Sequence, residues 1–173
     1  MNETTDEATH TLQQAWRHPV HLLSLGLGTG LSPLAPGTVG TLVGVALYLP
    51  MAKLPLVYYL AAVLLLLVIG IALCGATARF LGVHDHPSIV FDEIVGFLVT
   101  MTAAPQGYLW MLAGFCLFRF FDIVKPWPIR RIDREMSGGL GIMLDDVLAG
   151  IFAAALLQLG AVFWGPVVRA PLY

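Results

Sequence analysis

The chain has 173 residues, of which 58% are hydrophobic and only 12% charged, and its mean hydropathy is +0.82. Soluble domains carry about a quarter charged residues, so this composition excludes a water-solvated globule and makes lipid the expected solvent. The net charge of −2 says little as a total and gives no reason to expect a nucleic-acid partner; where the charges fall says more.

Residues 1–18 form a polar stretch (Glu3, Asp6, Glu7, His10, Arg17) without the charged start, apolar centre and cleavage site of a signal peptide. They read as a disordered or surface-lying tail ahead of a single membrane-embedded domain over 19–173. His21 to Leu34 is apolar and glycine-rich but too short and broken to cross a bilayer, so it reads as a re-entrant or interfacial segment. Gly37 to Leu49 follows, and Pro50 and Pro55 bracket a turn. Leu54 to Ala78 is the clearest span. At ~1.5 Å per residue it easily crosses a ~30 Å hydrocarbon core. Ile94 to Ala104 and Tyr108 to Phe118 reach that length only by extending into the polar groups Asp92-Glu93 and Arg119 to Asp122, around a Pro105-Gln106-Gly107 turn. Val147 to Trp164 is long enough to span almost unaided. The expected fold is all-α, a polytopic bundle of four to five spans. Cys74 and Cys116 lie in apolar runs and read as small buried hydrophobes.

With five crossings and the N-terminus inside, Arg17, Arg79, Arg119, Lys125, Arg130, Arg131 and Arg134 fall on the inner side. Only Lys53 and Arg169 fall outside. This bias predicts a cytoplasmic N-terminus. The same map brings Asp85, Asp92, Glu93, Asp122, Asp133, Glu135, Asp145 and Asp146 to the cytoplasmic boundary.

Three polar blocks converge there. Residues 28–38 (Gly-Thr-Gly-Leu-Ser-Pro-Leu-Ala-Pro-Gly-Thr) set glycines and the hydroxyls of Ser32 and Thr38 before a helix start. Free N–H groups and a positive dipole end suit phosphate; a kinked turn with Thr38 as N-cap fits as well. The second block, His84 to Glu93, carries Asp85, Asp92 and Glu93, and the third opens the last span with Asp145-Asp146. Adjacent acids at a membrane helix start are costly unless neutralised. Gly96 lies three residues after Glu93, and Ala149 and Gly150 lie three and four after Asp146. Small residues at this spacing let helices approach closely and bring the carboxylates together. Asp92, Glu93, Asp145 and Asp146 are therefore the candidate metal ligands, and an all-oxygen set suits Mg²⁺. Asp85 is a candidate ligand or support, and His84 and His86 are candidate orienting or acid–base groups. Arg119, Asp122 and Lys125, three apart, would form one helical stripe, read either as an ion-pair ladder or as a phosphate clamp beside Trp127. Arg130 joins that clamp; Arg130, Arg131 and Arg134 could hold anionic lipid or merely set topology, and for Arg131 and Arg134 the topology reading is favoured.

Residues 28–41, 84–93, 118–130 and 138–150 together resemble the phosphatidylglycerophosphatase A family of bacterial inner-membrane lipid phosphatases, in the family's order and over about residues 18 to 160. The resemblance implies Mg²⁺-dependent hydrolysis of phosphatidylglycerophosphate to phosphatidylglycerol and phosphate, at the cytoplasmic face of the inner membrane. Asp92, Glu93, Asp145 and Asp146 would then hold the metal. Lys125, Arg119 and Arg130 would neutralise phosphate charge, with Ser32 and Thr38 in a phosphate-binding loop, and Asp122 would orient them or add a ligand. A covalent phospho-aspartate is a second route. The signatures of the cysteine, histidine and haloacid-type phosphatases are absent. An ion-coupled transporter using the same acids is the alternative, but it would place polar residues along the outer halves of the spans, and these have almost none. No oligomeric state follows from the sequence.

Overall fold

The computed structural model describes residues 15, 17–83 and 86–168, with side chains to 163. The polar tail (1–14 and 16), His84, Asp85 and Arg169 lie outside the described residues. In chain order the helices are α1 (Pro19–Ser24), a 3-10 segment (Gly26–Leu31), α2 (Pro36–Met51), α3 (Leu56–Leu81), α4 (Phe91–Thr100), α5 (Tyr108–Val124), α6 (Ile129–Glu135) and α7 (Gly138–Val168). No strand occurs among the described residues.

Helix α3 forms where the sequence is apolar and unbroken. Pro55 precedes it, and Gly82 stops it in the left-handed conformation (φ 69°), returning its N–H to Arg79 O while Val83 N–H bonds Ala78 O. Helix α7 starts well before Val147, at Gly138, and runs 31 residues. Only α3 and the Gly138–Phe163 part of α7 are by themselves long and apolar enough to cross a membrane. Helices α2 and α5, with 16 and 17 residues, are marginal. The 10 residues of α4 rise about 15 Å, half a hydrocarbon core. The stretch expected to span as Ile94 to Ala104 is therefore helical only as far as Thr100 and turns at residues 101–104.

A helix that stops among buried residues leaves carbonyls that need partners. Tyr59 Oη of α3 donates to Leu98 O at 2.6 Å. Gln158 Nε2 of α7 donates to Ala103 O at 2.8 Å and Thr102 O at 3.2 Å. Two spanning-length helices thus cap the short one.

Helix α7 is the hub, packed against α3, α4, α5 and α6. One core cluster joins Tyr48, Phe97, Leu98, Met101, Trp110, Phe118 and Leu157; another joins Cys74, Phe91, Val95, Ile142 and Met143. The outside is apolar as well. Val57, Leu64 and Val68 of α3, Leu109, Leu112 and Phe120 of α5, and Leu159 and Val162 of α7 all face outward. Water would penalise such a belt, whereas lipid does not. Cys74 is buried as expected, but Cys116 is exposed. It lies on the outward stripe of α5, four residues from both Leu112 and Phe120.

The glycine block packs where a side chain would not fit. A Cβ on Gly30 would strike Ser88 O, and one on Gly40 would come within 2.5 Å of Val90 Cβ. Thr38 does not cap α2. The helix starts two residues earlier, because Pro36 is pre-set for a first helical position, and Ala35 takes the N-cap place at φ 45°.

Candidate functional site

Helix α4 opens directly on its acids, with Asp92 and Glu93 in the first turn, where the dipole favours negative charge. The loop before it is tied down. Val90 N–H donates to Ser24 O of α1 at 3.0 Å, and His86 Nδ1 accepts Ser88 N–H at 3.1 Å. His86 thus shapes the turn that leads into the helix.

Helix α7 crosses α4 at two glycines. A Cβ on Gly150 would lie 2.5 Å from Gly96 O, and one on Gly96 would lie 2.8 Å from Asp146 O and 2.6 Å from the Phe118 ring. Without side chains at the crossing, the backbones meet and the acids one turn away are drawn together. Ligand oxygens of Asp92, Glu93 and Asp146 lie within 4.8 Å of one another. Asp92 is 7% exposed and Asp146 3%. Oδ1 of Asp92 and Oε2 of Glu93 are buried and take no hydrogen bond among the described residues.

Arg119 of α5 borders this triad. Its Nη1 lies 2.5 Å from Asp122 Oδ2 and 3.6 Å from Glu93 Oε1. The first turn of α2 closes the same side, since a Cβ on Gly37 would collide with Glu93 Oε1 and reach within 3.0 Å of Arg119 Nη1. Three acids with Asp122 beside them outnumber one guanidinium. Buried carboxylates of like sign must either take up protons or gain a counter-charge. The donors are all oxygen and two are unused, which is the set a hard divalent cation takes.

The four acids expected to share one metal are divided between two places. Asp146 joins Asp92 and Glu93. Asp145, 5% exposed, accepts a bond from Lys125 Nζ at 2.5 Å through Oδ2. Lys125 also donates to Asp133 Oδ1 at 2.6 Å, so one ammonium links the end of α5 to α6 and α7. Burial alone would lower the Lys125 pKa, but Asp145 and Asp133 outweigh it and hold the group above the ordinary lysine value. The expected stripe of Arg119, Asp122 and Lys125 breaks after its first pair, because Lys125 leaves the helix in the left-handed conformation (φ 44°). Asp133, placed by the sequence at the cytoplasmic boundary, is on a helix and is a partner of Lys125. Its signal was its place beyond Pro126-Trp127-Pro128, where the chain turns back.

Arg130 stands apart from the triad. It is exposed, donates from Nη2 to Val124 O at 3.3 Å, and helps line a groove of about 460 Å³ with Lys125, Trp127, Arg131 and Arg134. Ser32 Oγ donates to Leu34 O within its own loop, and Thr38 sits in the first turn of α2.

Fold and site together define an all-helical, lipid-suited protein built around a buried carboxylate centre. The sequence profile of the family described as Phosphatidylglycerophosphatase A matches residues 22–161, and the chain belongs to that family. It is similar to the phosphatidylglycerophosphatase A of Escherichia coli (strain K12), 46% identical over 148 residues covering 85% of this chain and 86% of the relative. The Haemophilus influenzae protein of that name is also 46% identical, over 142 residues covering 81% and 87%. A Bacteroides thetaiotaomicron protein with the provisional name phosphatidylinositol-3-phosphatase is 38% identical over 144 residues, covering 79% and 89%. No solved structure matches the chain. The transporter alternative draws no support from these relatives.

Proposed function

We propose that this chain hydrolyses phosphatidylglycerophosphate to phosphatidylglycerol and phosphate, with Mg²⁺ as cofactor. The observation that carries the reading is the buried triad of Asp92, Glu93 and Asp146 with its two unused oxygens beside Arg119. Its E. coli and H. influenzae relatives bear the name of that activity.

Those three residues would hold the ion, and when bound it supplies a Lewis acid for the phosphoryl oxygens and lowers the pKa of a water. Asp122 fixes Arg119, whose charge then faces the phosphoryl oxygens as negative charge grows on them. Burial at the α4–α7 crossing keeps bulk water from screening that charge. Lys125, held by Asp145 and Asp133, sits on the other flank. The oxygen of water bonds to phosphorus as the phosphorus–oxygen bond to glycerol breaks. The water gives up a proton and the leaving glycerol alkoxide takes one up, so the products are phosphate and a free hydroxyl.

The wider setting belongs to the same proposal. Residues 19–173 act as one catalytic domain of four to five crossings, with α1 and the 3-10 segment re-entrant or interfacial. The site faces the cytoplasm at the bacterial inner membrane. The clustering of seven basic residues on one side supports this orientation.

The test is phosphate release by purified protein in detergent micelles. We expect release from phosphatidylglycerophosphate with Mg²⁺, arrest with EDTA, and recovery when Mg²⁺ is restored. No release with any divalent metal would overturn the reading. A clear preference for phosphatidylinositol 3-phosphate would move the chain to the substrate named for its Bacteroides relative.

A further inference from the structure

Beyond the carboxylate centre, cationic side chains gather in the groove where α5 ends and α6 begins. Lys125, Arg130, Arg131 and Arg134 line it with Trp127, against one acid, Glu135. Glu135 is occupied by Arg131, whose Nε donates to both its carboxylate oxygens at 2.9 and 3.0 Å. Arg134 has no ion pair among the described residues, and Arg130 meets only a backbone carbonyl. Lys125 is itself paired with Asp145 and Asp133, so the positive charge that no group among the described residues balances lies on Arg130 and Arg134.

Its surroundings say what kind of anion suits it. Trp127 is 78% exposed and Ile123, one turn back, 68%. Bare aromatic and aliphatic groups beside basic heads match the boundary between headgroups and acyl chains. A soluble anion would have no use for the apolar wall. The groove is also next to the carboxylate centre, because Lys125 lines it and binds Asp145, the residue before Asp146.

We infer that this groove is a second anion site, which takes the phosphodiester of the lipid while the terminal phosphate of the same headgroup lies at Asp92, Glu93 and Asp146. This rests on the phosphatase reading above. The substrate carries two phosphates joined by one glycerol unit, and the protein offers two anion-handling places joined by Lys125 and Asp145. The groove therefore selects lipids with a diester inside the monoester, and it also holds the product, which keeps the diester.

The experiment is steady-state hydrolysis of phosphatidylglycerophosphate in mixed micelles by the wild-type chain and by the double variant Arg131→Gln/Arg134→Gln. Phosphatidylglycerol (diester only) and inorganic phosphate (no diester) serve as inhibitors. A basic residue near an anionic headgroup is worth about fivefold in binding, so two predict a rise of about 25-fold in KM and in the phosphatidylglycerol inhibition constant. The turnover number and the inhibition by phosphate stay unchanged. Restoring charge with Arg131→Lys/Arg134→Lys recovers most of the loss. An unchanged KM, or an equal weakening of both inhibitors, overturns the second site alone. Wild-type protein inactive on phosphatidylglycerophosphate takes down the underlying reading with it.

Discussion

Asp145 and Asp146 are neighbours in the chain and both are buried, yet they belong to opposite kinds of place. Around Asp145 the charges alternate: Lys125 meets Asp145 on α7 and Asp133 on α6. Around Asp146 the charges repeat. Asp92 and Glu93 crowd the same few ångströms, and two of their oxygens take no hydrogen bond among the described residues. The first arrangement ties three helices together. The second is costly on its own, and a bound cation would relieve it. Alternating charge at one position and repeating charge at the next thus set two adjacent residues apart.

Substitutions can break that contrast from either side. The largest effect is expected at the repeating cluster. Asp146→Asn should lower phosphate release by about a thousandfold, the scale of losing one electrostatic element of an active site, while the melting temperature in metal-free detergent stays level or rises as like-charge repulsion falls. A fall in melting temperature with activity retained would make Asp146 a structural residue. The alternating node should behave in reverse. Lys125→Met leaves Asp145 and Asp133 facing each other without a cation and should cost about 3 kcal/mol of stability. Adding Asp145→Asn should return part of it, read by thermal melting. If the double variant melts no higher than the single one, the node is not the tie described here. The smallest of the three tests how the two regions are held side by side. Gly150→Ala puts a methyl against Gly96 O and should cost about 2 kcal/mol. It should also weaken Mg²⁺ dependence by spreading the triad, seen as a higher Mg²⁺ concentration for half-maximal activity.

Much of this was legible beforehand. The uncharged run into α3 fixed its span, and small residues after each acid pair pointed to the α4–α7 approach. The division of Asp145 from Asp146 was missed, although the spacing held a signal for it. Asp92 lies four residues before Gly96, and Asp146 four before Gly150, so each shares a helical face with its contact glycine. Asp145 is a further ~100° round and looks elsewhere. Other features had no local signal. A lysine in the left-handed conformation breaks the usual preference for glycine there, and only the two acids awaiting Lys125 explain it. The shortness of α4 was hidden for a similar reason. Its apolar run continues past Thr100, but Tyr59 and Gln158, remote in sequence, accept the task of ending it.

The crossing of α4 on α7 also sets how this protein can vary. Because two glycines meet backbone to backbone, the spacing of the three acids is gauged by the main chain and not by the size of any neighbouring side chain. Leu64, Val68, Leu112 and Leu159 on the outward belt can then be exchanged for other apolar residues, adapting the exterior to a thicker, thinner or stiffer bilayer. The chemical centre would keep its dimensions through all of those exchanges, and two positions without side chains would carry the whole constraint.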